Sequence, residues 1–276
     1  MPTVRASIRK LDIVKPFILL HAVLLFLILA SYTMAAPPAG YKLAWADEFD
    51  GASLDTNKWD YRRLGERRDA LNVTNAVSVS NGCLTITTYT EAGKHYAGMI
   101  CTQDKFEPVR GYWEARIRFD DEPGMGSAFW LQSSTIGQPV DDPVKAGVEM
   151  DICEHRAVNE KGTNIANMVR QSLHWNGYHQ FHKSSGQSTP VPKLDSGFHI
   201  YGLEWTSSEY RFYVDDKLTR TASDPIPISA AKEFAILSSE VENGGRAGHI
   251  PRGGFGSLGT SKAKMVVDYV RYYSRE

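Results

Sequence analysis

The sequence predicts an all-β domain, a sandwich or a barrel of short strands. Three observations lead there. Segments of alternating apolar and polar residues recur throughout the chain after residue 40, rich in Val, Ile, Tyr, Phe and Trp. Gly, Asp, Asn and Pro punctuate them, and no long helical periodicity interrupts them.

Taken in order, AVSVS (76–80) and CLTITTY (83–89) alternate Val77, Val79, Leu84 and Ile86 with Ser and Thr. AGMICTQ (97–103) follows after the turn-like EAGK. GYWEARIRF (111–119) sets Trp113, Ala115, Ile117 and Phe119 against Glu114, Arg116 and Arg118, a clean period of two. GSAFWLQS (126–133), GVEMDICEH (147–155) and VRQSLHW (169–175) come next. FHIYGLEW (198–205) and YRFYVDD (210–216) are separated by a short polar turn. EFAILSSEV (233–241) and KMVVDYVRYY (264–273) are the last of these segments. SDPIPISAAKEF (223–234) holds two prolines and suits a loop or a short helical turn. Long loops are expected at 50–75, 132–146, 175–196 and 242–263, and loops of that length in a compact β domain usually carry function.

The 276 residues are 42% hydrophobic, enough for a sizeable core in one domain from about residue 40 to 276. Thirty-one basic against 32 acidic residues give no reason to expect a nucleic-acid partner. Residues 1–36 differ from the rest. Arg5, Arg9, Lys10 and Lys15 precede the apolar run FILLHAVLLFLILA, and Ala35 and Ala36 stand just before Pro37. This is the layout of a secretory signal peptide cleaved near Ala35/Ala36, and the run is short of the roughly 20 residues a spanning helix needs. A secreted or periplasmic protein without stable membrane contact is therefore expected, or a membrane-anchored one if the segment stays uncleaved. Its removal takes away four basic groups and Asp12, leaving a net charge of −4.

Export permits disulfides. A hairpin centred near residue 92 would set Cys83 opposite Cys101. A bridge between them and two buried thiols are both open readings. Cys153 reads as a packed strand residue, and no zinc-ligand spacing is present.

GVEMDICEH places Glu149, Asp151 and Glu154 on one short apolar strand. Glu149 and Asp151 share a face. Glu154 lies an odd step further, so a β-bulge at Ile152–Cys153 is needed to return it to that face. Like charges in a row are costly unless their protonation states differ, and one acid beside one base is what glycosidic-bond cleavage uses. Glutamates about four strand steps apart have Cα atoms roughly 13 Å apart, and inward-leaning carboxyl groups roughly 5–7 Å apart overlap the retaining range and touch the inverting one. A calcium site and a solvated acidic face are the competing readings.

The motif resembles the E-x-D-x-x-E signature of glycoside hydrolase family 16 in its bulged, laminarinase- and agarase-like form. LAWADEFDG (43–51), NAVSVSNGCLTIT (75–87), GYWEARIRFDDEPGMGSAFWLQ (111–132), FHIYGLEWTSSEYRFYVDDKL (198–218) and MVVDYVRYY (265–273) resemble its other strands in order. The resemblance implies a jelly-roll sandwich with a concave groove, acting on β-1,3 or β-1,4 bonds of a glucan or galactan with retention. It implies Glu149 as nucleophile, Glu154 as general acid/base and Asp151 between them. Trp130, His174, Asn72 (or Asn75), Arg67 and Trp175 are the expected substrate contacts. No cofactor is required for catalysis. A structural calcium would use Glu48 and Asp268, and a monomer acting on a polysaccharide is expected.

The chain departs from the plain laminarinase pattern. His155-Arg156 follow the acidic strand, ILSSEVENGGRAGHIPRGG replaces an N-x-A-x-G-G segment, and Arg62, Arg63, Arg67 and Arg68 crowd one loop. Planar guanidinium groups suit sulfate or carboxylate, so an anionic galactan and a neutral glucan are both candidate substrates. A non-catalytic carbohydrate-binding jelly roll would lack one of the acids. A transglycosylase would share all three.

Overall fold

The computed structural model describes residues 1, 37–194 and 197–275. The expected signal peptide falls outside the described residues. The chain divides between Met34 and Ala35, and the architecture below is that of Ala35–Glu276.

The described strands form an eight-stranded sheet, a seven-stranded sheet and a smaller four-stranded one. In the eight-stranded sheet, Gly111–Asp120 lies between His199–Trp205 and the long final strand Lys264–Arg275, which also pairs with Tyr41–Asp47. In the seven-stranded sheet, Met125–Gln132, Glu149–Arg156 and Met168–Trp175 are consecutive antiparallel neighbours. Phe234–Val241 flanks Met125–Gln132 on its other side. The inward residues of both sheets meet in one core. Trp113, Ile117 and Phe119 come from one sheet, and Phe129, Leu131, Met150, Ile152 and Leu237 from the other. Each large apolar side chain so buried contributes about 1.5–3 kcal/mol. The all-β sandwich expected from the alternating segments is the fold observed.

Glu204 and Trp205 are structural. Trp205 is fully buried, with its indole N–H donating to the Ser229 carbonyl, and Glu204 accepts from Tyr41, Arg211 and Tyr213.

Three expectations are corrected. The hairpin centred near residue 92 exists, with Thr90 opposite His95, but only over Tyr89–Glu91 and Lys94–Ala97. Its flanks then diverge into different sheets: Cys83 pairs with Ser80, and Cys101 with Asp60 and Ile236. All three cysteines are free, so there is no Cys83–Cys101 bridge, and Cys83 is only half-buried. The stretch 175–196 is not all loop. Lys183–Pro190 is an edge strand paired with Met168–Trp175. Its polar sequence KSSGQSTP shows no alternation because neither face packs into the core, and backbone hydrogen bonds to its neighbour hold it instead. The stretch 50–75 likewise contains short strands at Asp60–Tyr61, Gly65–Arg67 and Ala70–Asn72.

Gly147 enters the acidic strand at φ +100°, and a Cβ there would lie 2.3 Å from the Ser133 Cβ. Both the conformation and the space require glycine. Gly147→Ala is expected to destabilise the domain by about 2–3 kcal/mol, measured by chemical denaturation, and to reduce activity more than folded fraction. An unchanged midpoint would show that the strand entry tolerates a side chain.

Candidate active site

The bulge falls where the sequence requires it. Against Met125–Gln132, Phe129 pairs with Cys153 and Trp130 with Asp151, leaving Ile152 as the extra residue. Against Met168–Trp175 the register shifts between Asp151 and Glu154. Glu149, Asp151 and Glu154 consequently all line one cleft of about 440 Å³. Ile152 and Cys153, like Met150, are wholly buried in the core, so both bulge residues anchor the strand. Gly126, Ala128, Trp130 and Gln132, every second residue of the adjacent strand, share the cleft wall with Ser238, Glu240 and His174.

Each carboxylate has different neighbours. Glu149 Oε2 accepts from Gln132 Nε2 at 3.0 Å and from the Tyr178 hydroxyl. Gln132 is oriented by Arg62, whose Nη2 donates to its Oε1 at 2.6 Å, so the amide N–H is turned toward Glu149. Burial, and then the charge of Asp151, push the Glu149 carboxyl up to about 7, against the donors Tyr178 and Gln132 and the nearby His174. Asp151 is 6% exposed, and its Oδ2 lies 3.1 Å from His174 Nε2. Burial first and the charge of Glu154 second hold it well above the usual carboxylate range. Glu154 has Arg246 Nη1 3.4 Å from Oε1 and the Ser172 hydroxyl 3.5 Å from Oε2. The three acids therefore do not all carry charge near neutrality, which relieves their repulsion.

Among the described residues, Glu149, Asp151 and His174 form the group tight enough to grip a cation, with one ligand atom of each within 4.8 Å of the others. Hydrogen bonds already engage Glu149 Oε2 (to Gln132 and Tyr178), Asp151 Oδ2 (to His174) and both ring nitrogens of His174 (to Asp151 and His182). Glu48 and Asp268 do not assemble into the expected calcium site. Arg271 holds Glu48 at 2.7 and 2.8 Å, and Arg116 holds Asp268 at 2.6 Å, so a cation would have to displace a guanidinium from each.

The expected substrate contacts divide. Trp130 lines the cleft, with its indole N–H donating to the Ser238 hydroxyl at 3.1 Å, and His174 lines it beside Glu149, its strand partner. Arg67 lines it too, but is clamped with Arg68 on Glu240, each at 2.5 Å. Burial pushes Glu240 upward, yet Arg68 and Arg67 outweigh it and lower its carboxyl overall. Asn72 is corrected: it is 2% exposed in the small sheet and away from the cleft wall, while Asn75 accepts from Tyr89. Trp175 is corrected as well. His174 faces the cleft, so its neighbour faces away and packs against the core.

Gln132, Ser238, Glu240 and Glu242 on the wall were not foreseen. Gln132 was legible as the residue two steps from Trp130. The others required knowing that Phe234–Val241 pairs with Met125–Gln132.

A family model described as beta-porphyranase A-D, GH16 domain, matches residues 42–275. The chain is 30% identical over 247 residues to endo-1,3-1,4-beta-glycanase ExsH of Rhizobium meliloti, covering 84% of this chain and 47% of that one. It thus spans about half the length of that relative. It is 29% identical over 259 residues to a beta-glucanase of Rhodothermus marinus, covering 84% and 85% of the two chains. The crystal structure of SCLam, a non-specific endo-beta-1,3(4)-glucanase from family GH16, superposes with a TM-score of 0.70 at 26% identity, over 87% of this chain and 94% of that one. The bulged acidic strand, the two-sheet fold around it and a family match across nearly the whole β domain lead to one assignment: the chain belongs to glycoside hydrolase family 16, with its jelly-roll fold.

Proposed function

We propose that this protein is an exported, retaining endo-glycanase that cleaves an anionic galactan of the porphyran type. The observation that carries the substrate class is the charge of the cleft wall. Apart from the three catalytic-row acids, five arginines (Arg63, Arg67, Arg68, Arg156 and Arg246) share the cleft with only two glutamates, Glu240 and Glu242. Guanidinium forks match the planar oxygens of sulfate and carboxylate, and a neutral glucan gives them nothing to bind. The description of the matching family model supports the same class.

The mechanism follows from the neighbours of each acid. Glu149 has both hydrogen-bond donors on Oε2, which leaves Oε1 to attack the anomeric carbon. As the Oε1–carbon bond forms, the glycosidic carbon–oxygen bond breaks. Its electron pair goes to the leaving oxygen, which takes the proton of Glu154. Water then enters, gives a proton back to Glu154, and its oxygen displaces Glu149 from the ester. Asp151, buried between them, exchanges a proton within the row rather than adding a third charge. His174 fixes Asp151 from the neighbouring strand.

Reducing-end release should be seen on porphyran and be weaker or absent on agarose, laminarin and mixed-linkage glucan. Glu149→Ala should lower it by at least about 10⁴-fold. Cleavage of laminarin alone would overturn the anionic substrate. Glu154→Ala should lose turnover that added azide partly restores on an activated glycoside. Attack requires the Glu149 anion, and its carboxyl is raised to about 7. Hence kcat/KM should fall as pH drops through that value, about tenfold per unit on the acid side, while the need for a protonated Glu154 sets a separate alkaline limb. A flat profile down to pH 5 would contradict the burial of Glu149.

A further inference from the structure

Between the strands Met168–Trp175 and Lys183–Pro190 the chain makes a short loop that sends two side chains back onto the catalytic row. The Tyr178 hydroxyl donates to Glu149 Oε2 and also meets Gln132 Nε2. His182 Nε2 lies 2.9 Å from His174 Nδ1, with the two rings stacked at 8°. The loop is fixed in place. Asn176 and Gly177 take positive φ, and Gly137 of the facing loop comes so close that a Cβ on it would lie 2.7 Å from the Gly177 Cα. Tyr178 is nonetheless 49% exposed, so the core does not hold its ring. What it contributes is the hydroxyl.

We propose that Tyr178 is a positioning residue for the nucleophile. It acts through Glu149, fixing Oε2 so that Oε1 is the attacking atom and favouring the carboxylate over the acid. Three facts lead there. Tyr178 and Gln132 converge on the same oxygen, leaving the other without a described partner. Gln132 cannot turn away, because Arg62 holds its carbonyl. The groups facing Glu149 from the packed elements are Asp151 on its own strand, His174 on the next, Gln132 on the other side, Tyr178 from the loop and the buried Glu233, whose Oε1 accepts from the Val148 N–H. Of these, Gln132 and Tyr178 donate to Glu149, and Tyr178 does so from a loop rather than a strand. During attack the negative charge leaves the carboxylate as the ester forms. It returns when water releases the sugar, and there the tyrosine hydroxyl stabilises the departing Glu149 anion.

This inference rests on Glu149 being the nucleophile, and its test separates the two. In Tyr178→Phe, the acid limb of kcat/KM on porphyran should move up by about one pH unit. The loss should be about tenfold one unit below the wild-type midpoint and should shrink well above it. A general loosening of the site would instead lower the rate at every pH. Phe181→Ala, on the same loop, should leave the midpoint in place. A ¹³C titration of carboxyl-labelled glutamate, with Glu149 assigned by its loss in Glu149→Gln, reads the same shift without turnover. An identical Glu149 midpoint in wild type and Tyr178→Phe, or an equal shift in Phe181→Ala, overturns the role of Tyr178 alone. Turnover that survives Glu149→Ala overturns the assignment of Glu149 and this inference with it.

Discussion

One extra residue in the strand Glu149–Arg156 decides which way every acid points. Without Ile152 unpaired against Met125–Gln132, Glu154 would face the core, where an unpaired carboxylate costs several kcal/mol. With it, Ile152 and Cys153 are both buried, and three carboxylates lie side by side above an apolar floor. The bulge thus ties catalysis to packing. The residues that hold it in place belong to the core, and the residues it turns outward are the chemistry.

That arrangement creates an electrostatic problem, which the surrounding strands solve unequally. Glu149 receives two donors, Asp151 receives a histidine, and Glu154 receives an arginine and a serine hydroxyl. Burial raises the first two acids, and Arg246 stands beside Glu154. Three residues of one type thereby occupy three different environments, the condition for a nucleophile and a proton donor to coexist. The arginines beyond them extend the same logic to the substrate. Two of them already share Glu240, so the carboxylate fixes their forks ahead of binding and reduces the side-chain entropy that an anionic sugar would otherwise have to offset.

Much of this was legible in the sequence. Period-two segments such as GYWEARIRF became strands at the expected places, because one face of each packs into the sandwich core. The odd spacing from Asp151 to Glu154 forced a bulge, and the bulge is there. What could not be read depended on pairing between distant segments. The polar strand Lys183–Pro190 has no periodicity to betray it. Cys83 and Cys101 are equidistant from one turn yet end in different sheets, since the hairpin between them is too short to hold its flanks together. Asn72, Glu48 and Asp268 were placed by likeness, but burial and arginine partners give them other work. Tyr178 lies in a loop whose path no local pattern sets, and its contact with Glu149 appears only in three dimensions.

The assignment of roles along the bulged strand is tested most directly by trapping the covalent intermediate. A 2-deoxy-2-fluoro glycoside with a good leaving group slows release of the sugar, and peptide mass spectrometry then locates the ester. The account predicts a single fluoroglycosyl group on Glu149, accumulating in the wild type and absent in Glu149→Ala. A sugar ester on Glu154, or turnover with inverted product and no adduct, would contradict it.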